Sequence, residues 1–147
     1  MKIIRLGLVV VLAALMGACA SGPKMAEVKS AIPTLKSTEG RIYFYRVSSM
    51  VGAAIQPSIT LNGTIVGESK PGGFFFVDRA PGAMEVAAST EVERKLTFTL
   101  ATGETRYVRT ATTFGFVAGH VQPVLVDRAE AEKELEDTSY TGVPLGK

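Results

Sequence analysis

From residue 41 onward the chain switches between short apolar or alternating runs and small turn residues. Residues 41–47, Arg-Ile-Tyr-Phe-Tyr-Arg-Val, are aromatic and β-branched and predict a strand. Residues 58–61 and 64–66 flank Asn62-Gly63. Both central residues of a two-residue hairpin need positive φ, so Asn-Gly predicts a tight turn there. Phe74, Phe75, Phe76 and Val77 form the next run, closed by Pro81-Gly82. Met84, Val86 and Ala88 then alternate with Glu85, Ala87 and Ser89, and Leu96, Phe98 and Leu100 with threonines. That period of two predicts half-buried strands. Thr102-Gly103-Glu104 reverses the chain into 105–112, while 113–119 is glycine-containing and ambiguous. Residues 121–126 form a last run whose Pro123 suits an edge strand. Asp127 then predicts an N-cap, with Glu130 closing a capping box ahead of a helix over 129–137. The pattern as a whole predicts an antiparallel β-sandwich of seven or eight short strands with one C-terminal helix.

The N-terminus has a different texture. Lys2 and Arg5 precede a 13-residue apolar run, 6–18, too short for a bilayer core that needs about 20 residues. Gly17-Ala18 then precede Cys19, the one cysteine. Basic, apolar and small residues in that order form a secretory signal peptide. The cysteine directly after the cut resembles the lipobox of bacterial lipoproteins, in which the thiol takes a diacylglyceryl group and the new amino terminus is acylated. The expected organisation is therefore a leader over 1–18, a lipidated Cys19 with a flexible tether to 40, a sandwich domain over 41–137 and a loose tail over 138–147. Ala20, rather than Asp, follows the cysteine, which by the same resemblance favours the outer membrane, facing the periplasm.

Removing the leader changes the charge picture. It holds two of the 16 basic residues and no acid, leaving 14 bases against 14 acids in residues 19–147. The bases are scattered, so no nucleic-acid partner is expected. With Cys19 acylated no disulfide forms, and the domain depends on its core alone. One histidine and no second cysteine leave no metal-ligand set, and no cofactor is expected. His120 with Asp78 or Asp127 is the remaining candidate for acid–base chemistry, but no Gly-x-Ser-x-Gly elbow accompanies it. Residues 115–119 lack the Gly-Lys-Ser/Thr ending of a phosphate loop. No catalytic residue is assigned.

In a strand Phe75 points opposite to Phe74 and Phe76. One side is core; the other is either covered by the helix or exposed. Tyr43 and Tyr45 raise the same question beside Ile42 and Phe44. Tyr43, Tyr45 and Phe75 are therefore the candidate partner surface. The helix carries Glu130, Glu132, Glu134, Glu136 and Asp137 against Lys133, the pattern of a solvated acidic face.

The ordered series Gly40-Arg41-Ile42-Tyr43-Phe44-Tyr45-Arg46, Leu61-Asn62-Gly63, Val66-Gly67, Phe76-Val77-Asp78, Pro81-Gly82, residues 103–109, residues 121–124 and residues 129–135 resembles the bacterial lipoprotein family called domain of unknown function 2846. The resemblance implies an envelope lipoprotein with a β-rich domain and supplies no activity. The resulting expectation is a lipid-anchored, non-catalytic binding or assembly module, held in the membrane through Cys19 and engaging an envelope protein. The alternatives are an envelope-remodelling enzyme with an unrecognised site and a purely structural lipoprotein.

Overall fold

A computed structural model describes residues 20–90, 94–114 and 119–145. Residues 1–19, where the leader and the lipidated cysteine are expected, and residues 115–118 lie outside these residues. The described elements are α1 (Met25–Val28), β1 (Gly40–Tyr45), β2 (Ser58–Leu61), β3 (Thr64–Glu68), β4 (Gly73–Arg79), β5 (Gly82–Ala88), β6 (Arg94–Leu100), β7 (Thr105–Phe114), β8 (Gly119–Val126), α2 (Arg128–Leu135) and β9 (Ser139–Tyr140).

The strands form two packed sheets. One is antiparallel, in the order β3-β2-β5-β6. The other has the order β8-β7-β1-β4-β9 and is mixed, because β1 pairs parallel with β7 and β4 parallel with β9. The mainly β, sandwich-like architecture agrees with the sequence pattern, whereas the wholly antiparallel expectation is corrected. The return from β1 to β7 passes through the entire second sheet, so the two strands need no hairpin and are free to run the same way.

Alternation along β1 and β4 divides the core into two compartments. Ile42, Phe44 and Phe75 face the antiparallel sheet and pack with Ile59, Leu61, Val86 and Leu100. Phe44 and Phe75 are register partners, stacked with centroids 5.0 Å apart. Tyr45, Phe74 and Tyr107 point the other way and are covered by Val28, Ala131, Leu135 and Tyr140. At the centre of the five-stranded sheet, in β1 and the start of β4, both faces are thus covered, with the helices as a third layer.

Asn62 (φ 50°) and Gly63 (φ 80°) make the predicted hairpin. The Asn62 side chain also accepts from Glu85 N–H at 2.8 Å, tying the turn to β5. Pro123 lies in the edge strand β8.

Two segments expected to be loose are structured. Ala20 N–H donates to Pro71 O at 3.0 Å, Tyr140 N–H to Pro23 O at 2.8 Å and Met25 N–H to Thr138 O at 3.1 Å. Residues 20–25 are therefore docked against Pro71 and the 138–140 segment, and the start of the C-terminal tail is a buried strand. Backbone groups carry this docking, so polar composition did not reveal it.

Candidate functional site

The helices meet the sheet along a groove of about 620 Å³. Its walls are α1 and the following turn (Met25, Ala26, Lys29, Ile32) and the end of α2 (Glu132, Leu135, Glu136); its floor is Tyr43 and Tyr107, with Arg41 at one end. That volume falls in the usual range for ligand clefts.

The floor follows from strand register. Tyr43 and Tyr107 are parallel neighbours on β1 and β7, and their rings stack 5.5 Å apart at 11°. Arg41, two residues before Tyr43, lies on the same face. Its guanidinium donates to both Asp78 carboxylate oxygens at 2.7 and 2.8 Å and to Pro33 O at 2.8 Å. It also sits 4.5 Å from the Phe76 ring centroid. The Asp78 hydrogen bond raises the Arg41 pKa further, so this end of the groove is a fixed ion pair.

The acidic helix is held to the sheet by its carboxylates. Tyr45 donates to Glu134 at 2.6 Å and Tyr107 to Glu132 at 3.0 Å. Arg109 donates to Glu130 at 2.7 Å and Glu134 at 2.8 Å, and Arg128 donates to Glu132 at 2.7 Å. Burial, reinforced by Glu134, pushes the Tyr45 phenol well above its usual range. Burial and then Glu132 push Tyr107 up to about 12. The Arg128 hydrogen bond holds Glu132 below the ordinary carboxylate range. Glu130 is thus spent on Arg109 rather than on a capping box, and Asp127 makes no side-chain cap bond. Glu130 and Glu132 keep the solvated positions expected of them while pairing with Arg109 and Arg128, and Glu134 is the half-buried member, turned onto Tyr45 and Arg109. The readable signal was a set of polar-tipped residues at alternate positions, Tyr43/Tyr45 and Tyr107/Arg109, on one face of two strands; such a face requires acceptors from whatever covers it.

Of the candidate partner residues, Tyr43 is partly exposed in the groove. Phe75 (4 % exposed) lies between the sheets and Tyr45 (2 %) lies under α2, so neither presents the surface that contact with a partner needs. His120 pairs with Thr113 at one end of β8, and Asp127 follows the other end. Seven residues of strand separate them, about 23 Å. Asp78 is engaged by Arg41. These three groups are not brought together, and among the described residues no group of three or more His, Cys, Asp or Glu side chains is placed to hold a metal ion.

Comparison with known proteins places the fold in a family. The model of the family described as protein of unknown function (DUF2846) matches residues 36–123. The chain belongs to this family. It is also similar to an uncharacterized protein of Haemophilus influenzae, 26% identical over 128 residues that cover 84% of this chain and 76% of that protein. No solved structure matches. In this DUF2846 protein the matched span includes the groove floor, Arg41, Tyr43 and Tyr107, while the walls from α1 and α2 fall outside it.

Proposed function

We propose that the protein is a lipid-anchored bacterial envelope protein, held through acylated Cys19 at the outer membrane and facing the periplasm, whose β-sandwich is a non-catalytic binding module. The observation that carries the binding reading is the groove between α1, α2 and the sheet. It is pre-formed, because the Arg41–Asp78 pair and the Tyr107–Glu132 bond fix its floor and one wall. It offers apolar contact from Met25, Ile32 and Leu135 between Lys29 on one rim and Glu136 on the other. An occupant that fits is a polypeptide segment of an envelope partner carrying an apolar side chain between charges of both signs. Anchoring raises the effective concentration of the domain for such partners.

Site-specific photocrosslinking in intact envelopes tests this. Probes replacing Ala26 and Glu136 should yield one defined protein adduct that Lys29→Glu weakens. A probe replacing Thr97, exposed on the antiparallel sheet, should not yield it. Absence of groove adducts, or the same adducts from Thr97, overturns the reading.

A further inference from the structure

We infer that the end of the domain formed by the 47–52 loop rests against the lipid surface that holds the chain, with β1 and β7 pointing toward the bilayer; the inference rests on the anchor proposed above. The described chain begins at this end. Ala20 N–H donates to Pro71 O at 3.0 Å, and a side chain added at Gly73 would meet the Ala20 methyl at 3.1 Å. Consecutive Cα atoms lie about 3.8 Å apart, so a chain anchored immediately before Ala20 is tethered at the Pro71 end of the domain.

The surface around that point is apolar. Ser48 lies against Gly72, which brings the 47–52 loop to this end. Met50 (78 % exposed), Val51 (59 %) and Val47 lie on that loop. Among the described residues these are three of the six exposed large hydrophobics, the others being Ile65, Leu125 and Val143. Clustered exposed apolar side chains mark an interaction surface where scattered ones do not. The loop is also held in shape. Buried Arg46 donates to Ile55 O at 2.6 Å and Gly52 O at 2.8 Å, fixing the backbone at Gly52 (φ 71°) and just after it. Arg41 stands at the opposite end of β1, so this orientation leaves that end of the groove facing away from the lipid.

The mature lipidated chain, purified and reconstituted in phosphatidylethanolamine–phosphatidylglycerol vesicles, provides the test. With the Cys19 thiol acylated, Met50→Cys supplies a single free thiol for an environment-sensitive nitrobenzoxadiazole probe. Thr102→Cys, in the turn before β7 at the opposite end, is the control. Interfacial apolar groups sit about 5–10 Å into the headgroup–acyl boundary, so nitroxide lipids should quench the Met50 probe about twofold or more beyond the Thr102 probe. Equal quenching with Cys19 acylated overturns this orientation alone. A blue-shifted but unquenched Met50 probe means that protein, either a second copy or another partner, covers the loop, and also overturns it. An unacylated Cys19 in the intact mass removes both the anchor and the orientation.

Discussion

Replacing Arg41 with methionine, which keeps the apolar stem and deletes the guanidinium, should be among the most damaging single changes near the groove. Arg41 is buried and Asp78 retains 23 % side-chain exposure. Removing one partner of a buried ion pair costs about 3–5 kcal/mol, and the residual water access of Asp78 places this pair near about 3. Losing the donor to Pro33 O adds about 1 kcal/mol. The total, about 4 kcal/mol, corresponds to a drop of about 12–15 °C in Tm for a domain of this size. Urea unfolding reads the loss directly. The double change Arg41→Met with Asp78→Asn should cost less than the sum of the two single changes, by about 1–3 kcal/mol of coupling. Because Arg41 also clamps Pro33, trypsin should cut after Lys36 about fivefold faster, the factor for about 1 kcal/mol of local opening. A loss under about 1 kcal/mol with unchanged cleavage refutes the view that this pair pins the 20–39 segment.

Three further outcomes are expected. The buried phenols of Tyr45 and Tyr107 resist ionisation in the folded state, whereas unfolded tyrosines ionise near 10.0. Their contribution is therefore complete below pH 10 and lost above it: urea midpoints should fall between pH 10 and 11, and less steeply in Tyr45→Phe. A flat profile to pH 11 contradicts this. In Gly67→Ala the new methyl would lie 2.6 Å from the Phe75 ring, which Phe44 stacks against on its other side. Overpacking of that kind should cost about 1–3 kcal/mol by denaturant unfolding. Asn62→Ala loses the bond from Glu85 N–H and places alanine at positive φ, for about 1–2 kcal/mol, while Asn62→Gly should recover the backbone part; equal losses would mean the φ is immaterial.

The local devices were legible because their causes are local. Asn62-Gly63 names a turn that few other pairs adopt, and Pro123 names an edge because proline lacks a ladder donor. The Phe74-Phe75-Phe76 run left open whether its second face is covered or exposed, and Val28, α2 and Tyr140 cover it. Partner direction was not legible. Alternation in β1 and β7 reports which face is buried and is silent on whether a neighbour runs parallel. Residues 20–24 and 138–140 dock through backbone hydrogen bonds, which leave no trace in side-chain type. The groove needed both facts at once: its walls come from segments whose composition reads as tether and solvated helix, and its floor from register partners 64 residues apart, Tyr43 and Tyr107. Tyr43 was singled out for a reason that survives, while Tyr45 and Phe75 were placed on a surface that the third layer covers.

Anchoring through Cys19 is the claim on which membrane attachment, orientation and access to partners all depend. Intact-mass and N-terminal peptide analysis of the protein extracted from envelopes tests it most directly. The account predicts a chain that starts at Cys19 and carries a thioether-linked diacylglyceryl group and an amide-linked acyl chain. A chain that retains residues 1–18, or a mature chain with an unmodified Cys19 thiol, contradicts it.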